Sequence, residues 1–529
     1  MGPVDSMKKS ASAKPSGKKA VSSKKGANVS TTTSKAPVTN GHPAGPAPSA
    51  DLLSVYFSAK PKPANGTALE TMPLVEKSAV HVLAEEYKSF LSKAVCASWT
   101  VKAIIERAEK MGFKPFPADG RILKAGEKFY FNNDGTAVAL AVIGEKDPVK
   151  TGFNLIGAHV DSPQLELKPN TLIENKGVVQ LKTKTRGGGT WISWFNRPLG
   201  IAGRVFEPVL DEKGQPKLDP ETLLPLQQTK YVRFDSPSLV IPLEPIHFNR
   251  QLNKGKEIMP EEDLAPLAGI SRGTLETVTA HVASMFQKNG IDLSNAHRAE
   301  LFLFPTTPPS DVGVDGSMIL GQGHDDRAMC YAAMEGIIEA TRGSKAPPKT
   351  SVAFFFANEE TGSMDRGGAT SRWPEGVTAQ IIESHSKLKP KNLTQARETA
   401  LSKSFIFSAD VAHGWYPPQA KYHDSQNAVY MGQGPALKAD SSGHYATTPK
   451  GMAIAEDLFK RAGIPFQVMS TNQNVSCGTT IGPMIAANTN ALTVDIGIPI
   501  LSMHSANEVA SKVDLYLATK AFASFIRND

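Results

Sequence analysis

SVAFFFANEETGS, residues 351–363, is an apolar run that ends abruptly in two adjacent acids, Glu359 and Glu360. A short continuous apolar run predicts a strand buried on both faces, the kind found in parallel sheets. Two carboxylates at the mouth of a core then require an explanation, because buried charge is costly unless it is paired or binds metal.

Other runs stop in the same way. FNLIGAHVDS (153–162) ends at His159 and Asp161, SFIFSADVAH (404–413) at Asp410 and His413, and PILSMHS (499–505) at His504. GQGHDDRAMC (321–330) sets His324, Asp325 and Asp326 just before an apolar helical pattern, where the acids could also serve as an N-cap and first-turn charges. One such end has an ordinary reading as a turn or a satisfied histidine. Recurrence at several strand ends points to a shared site.

Around these runs, strands alternate with helices. RAMCYAAMEGIIEATR and MAIAEDLFKRAG carry helical spacing, PFQVMS and ALTVDIG read as strands, and a closing helix is expected from about Asn507 to Arg527. The alternation predicts an α/β fold: a mainly parallel sheet covered on both faces, with ligands at the carboxyl ends of its strands. After Pro169 the texture changes to alternating segments such as VVQLKTKTR and TWISWFNRPLGIAGRVF, broken by RGGGT, which suggests a β-rich insertion. The expected partition is a basic tail (1–70), a first α/β segment (71–165), the β-rich insertion (166–312) and a second α/β segment (313–529). No internal repeat is evident.

The formal net charge of the 529 residues is +7, and residues 1–50 account for all of it, with eight Lys against the single acid Asp5. The remainder is balanced, so a nucleic-acid partner is not expected. The tail is rich in Lys, Ser, Ala, Pro and Gly and is expected to be disordered. No secretory h-region and no transmembrane run is present, and three widely spaced cysteines suit a reducing compartment, so the expected location is cytoplasmic.

Carboxylates crowded into one cleft repel each other unless cations lie between them. His with Asp and Glu, without Cys, suits zinc, manganese or cobalt, and a shared carboxylate suits a two-metal site. Two divalent ions would balance Asp325, Glu359, Glu360 and Asp410.

The motifs GAHVDSP, DDRAMC, NEETGS, SADVAH, CGTTIGP and MHSANE, in this order, resemble the aspartyl aminopeptidases, a branch of the dinuclear co-catalytic metallo-aminopeptidases. The likeness runs over about residues 75–529. It implies a three-layer α/β/α catalytic domain with an inserted β-rich dimerisation domain, a homo-oligomer of twelve subunits, and peptide substrates with an acidic N-terminal residue.

Position by position, the likeness implies that Asp325 bridges two metal ions, zinc in the first instance. His159 and Asp410 would complete one, Glu360 and His504 the other. Asp161 would orient His159, and Glu359 would be the general base. KADSSGHY implies substrate contacts from Lys438 and Tyr445, with His413 alongside, and IPLEPIHF implies that His247 reaches a neighbouring subunit's site. The chain departs from the family pattern at Ala357, Leu243 and Asn474, and at Trp415 and Tyr416. Alternatives are a neutral-residue aminopeptidase, a dinuclear deacylase or carboxypeptidase, and a non-catalytic assembly or cargo protein.

Overall fold

The computed structural model describes residues 67–529, apart from 118, 271–274, 344 and 386–391. The expected tail lies outside the described residues as far as 66, and its last positions enter the short helix Ala68–Thr71.

Strand Ser351–Phe356 is buried at every position, as its apolar run predicts. It lies in a nine-stranded sheet between Ala137–Val142 and Asn154–His159, followed by Phe405–Ala409 and Leu492–Gly497. From Ser351–Phe356 to Leu492–Gly497 neighbouring strands are parallel, and the pairing Phe356↔His159 brings their carboxyl ends to one edge. The pairings on either side, to Ala137–Val142 and from Leu492–Gly497 to Ala436–Ala439, are antiparallel.

Alternate side chains of these strands supply two cores, as the two-residue period of a strand dictates. Ala353, Phe355, Ile156, Phe407 and Val494 pack with helices Leu74–Lys93, Ala97–Lys110, His324–Ala340 and Lys512–Arg527. Val352, Phe354, Leu155 and Ile406 pack with Trp373–His385, Leu393–Ser402 and Ile481–Thr489. The result is three layers. Each buried Phe contributes roughly 1.5–3 kcal/mol of apolar burial, which fixes the register of the strand ends that carry the acids.

A second sheet of six antiparallel strands is drawn from residues 164–305, in the order Gln227–Leu239, Leu199–Pro208, Ala299–Pro305, Gln164–Asn175, Val178–Arg186, Leu267–Ile270. It has its own core, including Leu165, Leu181, Trp194, Ile201 and Leu303. A five-stranded sheet joins Ser310–Val312, Met318–Gly321, Glu508–Ser511, Pro499–Leu501 and Ala412–His413.

Two expectations are corrected here. The closing helix begins at Lys512, not Asn507, because Glu508–Ser511 pairs as a strand with Met318–Gly321 and Ser511 caps the helix. The strand expected to end at His504 is only Pro499–Leu501; Ser502 and His504 take left-handed φ of +59° and +65° and turn the chain out of the sheet. Among the described residues no helix is long and apolar enough to cross a membrane.

Candidate metal centre

Asp325 stands at the middle of the site. Its Oδ1 lies 3.3 Å from His159 Nε2, and its Oδ2 lies 3.1 Å from His504 Nε2. His504 Nε2 is also 3.5 Å from Glu360 Oε2. Donor atoms of His159, Asp325, Asp326 and Asp410 lie within 4.8 Å of one another, as do those of Asp325, Glu360 and His504, and those of His159, Glu359 and Glu360. Asp325 therefore belongs to two donor sets, and Glu359 and Glu360 both border them.

The elements explain this convergence. His159 is the last residue of its strand, and Asp410 follows directly on Phe405–Ala409. Beyond Phe356, Asn358 adopts a left-handed φ of +60° and begins the turn Glu359–Thr361, which swings both glutamates over the sheet edge. Asp325 and Asp326 head helix His324–Ala340 with non-helical dihedrals (ψ 106° and 24°), and neither acid caps it as the alternative reading supposed. His324 is satisfied in the interior, between the Tyr87 hydroxyl (2.7 Å) and the Ile319 carbonyl (3.1 Å).

A frame of hydrogen bonds holds these groups. Asp161 accepts from the backbone N–H of Glu359 (3.1 Å) and of Glu360 (3.2 Å), and its Oδ1 is 3.5 Å from His159 Nδ1. His504 Nδ1 donates to the Gly188 carbonyl (2.9 Å), which leaves Nε2 facing the carboxylates. Glu508, buried, accepts from the N–H of Asp325 (3.0 Å) and of His504 (2.7 Å), so one carboxylate spans two of the donors. Asp326 accepts from the His159 N–H (3.1 Å). Sequence reasoning gave Glu508 no role and read Asp326 only as a candidate site acid or first-turn charge, not as the acceptor of the His159 N–H, although MHSANE and HDDR contain them. Their signal was only the presence of extra acids.

The electrostatics follow from burial. Desolvation, then the carboxylates Asp410, Asp325 and Asp161, push Glu359 up to about 7 against the opposing His159. Desolvation and Asp325 raise Glu360, and burial raises Asp410. His159 and His504 are raised despite burial by the acids facing them, His504 to about 10. Buried Asp325 Oδ1, Asp326 Oδ1, Glu360 Oε1 and His159 Nδ1 have no hydrogen-bond partner. Acids and imidazoles crowded at one strand edge, with Asp325 held ionised by the two imidazoles and buried oxygens left without a hydrogen-bond partner, fit divalent cations, whose charge would offset that of the carboxylates.

The remaining expected residues fall as follows. His413 opens onto a cavity of about 670 Å³, also lined by His504, Thr190, Arg197, His423 and Cys477. The surrounding protein and the Lys438 cation hold His413 down to about 4. Lys438 is buried, donates to the Val411 carbonyl (2.7 Å), lies 3.9 Å from Asp410 Oδ1 and stands 5.3 Å over the Tyr445 ring. Lys438 and Tyr445 are thus together beside Asp410 and are not among the residues lining the large cavity. His247 is on an exposed turn beside Phe248 and belongs to none of these donor sets.

An α/β/α fold with acids and imidazoles gathered at its strand ends defines the class of metal-dependent hydrolases. The family model described as aminopeptidase I zinc metalloprotease (M18) matches residues 90–526, and the chain belongs to this family of metallo-aminopeptidases. It is 31% identical to a probable M18 family aminopeptidase 2 of Clostridium novyi over 84% of this chain and 98% of that one. It is 28% identical to aspartyl aminopeptidase 4 of Saccharomyces cerevisiae over 83% and 94%. Among solved structures it is similar to an M18 aminopeptidase of Thermotoga maritima (TM-score 0.73, 27% identity, 88% and 99% covered). It is also similar to the S. cerevisiae mApe1 dodecamer (TM-score 0.68, 25% identity, 85% and 97% covered).

Proposed function

We propose that this aminopeptidase removes Asp or Glu from the N-terminus of peptides, with Glu359 as general base. The observation that carries the reading is the position of Asp325 between two imidazoles, with both glutamates of the NEE turn beside it. On this reading two divalent ions would be held here, one by His159 and Asp410 and the other by Glu360 and His504, with Asp325 shared between them. Zinc is the first choice, with manganese and cobalt as alternatives; bound there, divalent ions supply Lewis acidity toward the scissile carbonyl and acidify water.

The chain's own residues do the rest. Glu359 takes a proton from the attacking water as its oxygen bonds to the carbonyl carbon. As the C–N bond breaks, Glu359 returns that proton to the departing amine. Asp161, gripping the N–H of both glutamates, keeps Glu359 and Glu360 in their separate orientations. The Nδ1–H bond to Gly188 keeps His504 in the tautomer whose Nε2 can bind.

For acidic specificity, support comes from the yeast aspartyl aminopeptidase among the relatives and from the buried Lys438 cation beside Asp410. An acidic side chain reaching Lys438 would gain a charge-assisted hydrogen bond. For assembly we infer a homo-oligomer, a dodecamer by analogy with mApe1, in which the insertion 166–312 forms contacts and His247 serves a neighbour's site.

The test is release of the first residue from matched Asp-, Glu-, Leu- and N-acetyl-Asp-peptides by dialysed protein, with and without zinc, manganese or cobalt. Metal-dependent release of Asp or Glu alone is expected. Preference for Leu rejects the Lys438 assignment, cleavage of the acetylated peptide points to a deacylase, and silence on all substrates rejects the catalytic reading.

A further inference from the structure

Outside this centre, Asp440, His444 and Cys477 also bring their donor atoms within 4.8 Å of one another. His444 Nδ1 is 3.3 Å from Asp440 Oδ2 and 3.2 Å from Cys477 Sγ. Asp440 and His444 lie between the strand Ala436–Ala439 and helix Pro449–Arg461; Cys477 arrives from the loop before Ile481–Thr489. Two separate segments therefore meet at three different donors. A tetrahedral zinc ion, about 2.3 Å from sulfur and about 2.0–2.2 Å from nitrogen and oxygen, sets its ligand atoms roughly 3.3–3.6 Å apart. The two spacings from His444 Nδ1 are close to these edges, and the third, between Asp440 and Cys477, is within 4.8 Å.

We propose that Asp440 Oδ2, His444 Nδ1 and Cys477 Sγ form a further cation site for one zinc-class ion beside the cavity that Cys477 lines. A thiolate and a carboxylate neutralise a divalent charge, and the mixture of sulfur, imidazole and oxygen suits zinc or cobalt better than magnesium or calcium. Binding forms the metal–sulfur bond as the Cys477 thiol releases its proton to solvent. All three residues are half-buried, with the His444 side chain 35% exposed, so an ion has a path of entry.

Ser442 is the competitor. Its hydroxyl lies 2.8 Å from His444 Nδ1 and also bonds Asp440 Oδ2, so it has to give up this bridge when an ion enters. The consequence for the cavity follows from position. Asp440 is two residues beyond Lys438, His444 directly precedes Tyr445, and Cys477 lines the cavity. An ion here ties the Lys438–Tyr445 segment to the loop that carries Cys477.

Cobalt(II) titration of the chelator-treated full chain tests this, because cobalt bound by a thiolate gives a charge-transfer absorption that a site of carboxylates and imidazoles does not. The expected result is one equivalent of this absorption in the unsubstituted protein and its loss in Cys477→Ser, while the other cobalt remains bound. His444→Gln is expected to weaken the signal's binding constant at least tenfold, and Ser442→Ala to tighten it several-fold. Absence of the band in the unsubstituted protein, its survival in Cys477→Ser, or weakening by Ser442→Ala would each overturn the proposal.

Discussion

Glu359 and Glu360 are chemically the same side chain one residue apart, and their neighbours divide their work. Glu360 faces His504 across 3.5 Å and is drawn into the Asp325 set, whereas Glu359 lies toward His159. Replacing Glu359 by Gln keeps the shape and removes the proton acceptor. Glu359→Gln is therefore expected to retain bound metal while turnover falls by roughly 10²–10⁴-fold, the span that general-base catalysis supplies. Metal analysis and steady-state rates on the same preparation check this, and wild-type turnover would remove Glu359 from the role. Glu508 poses a different problem, since both of its oxygens accept backbone N–H groups. In Glu508→Gln one N–H meets an amide nitrogen, so a buried donor loses its partner at a cost of about 1–3 kcal/mol. The expected outcome is a lower melting temperature together with metal affinity reduced about 10–100-fold. Equal metal affinity in a melted-down variant would make Glu508 structural only.

At the scale of elements, the glycine loop after Val178–Arg186 forms a wall of the centre. Gly187 has φ +74°, and a Cβ there would stand 3.0 Å from Glu360 Cβ, while the next carbonyl, of Gly188, receives the His504 Nδ1–H. Gly187→Ala should therefore strain the loop by about 1 kcal/mol and displace Glu360. Lower metal occupancy with nearly unchanged melting is the expected pattern, and unchanged occupancy would show that the loop gives way instead. RGGGT was readable in the sequence only as a break between strands. The strands themselves were legible because Phe354, Phe355 and Phe356 are buried on both faces, and a continuous apolar run states this directly. Their terminal acids were legible for the same reason, since a charge stands out against such a run. The place of His504 was not, because it depends on a left-handed turn among residues with no glycine to announce it. Nor was the place of Glu508, whose partner Asp325 is 183 residues away and is held through its main chain.

Over the whole molecule, His247 stands apart from the donor sets of the centre among the described residues. It lies on an exposed turn with Phe248, 83% exposed, on one side and Ile246 on the other. Large apolar side chains presented beside a histidine on a surface turn suit burial against another protein surface, and the proposed oligomer supplies one. If His247 enters a neighbour's centre and stabilises the oxyanion there, His247→Phe should leave metal content and subunit number unchanged and lower turnover by roughly 10²–10³-fold, as loss of one oxyanion donor does. The loss by itself does not distinguish a neighbour's site from its own. Coexpression with Glu359→Gln does, because a mixed oligomer contains junctions at which an intact base from one subunit meets an intact His247 from another. Mixed assemblies should therefore recover a fraction of wild-type turnover that neither variant has alone. Mixed oligomers that stay as inactive as their parents would place His247 in service of its own chain or of none.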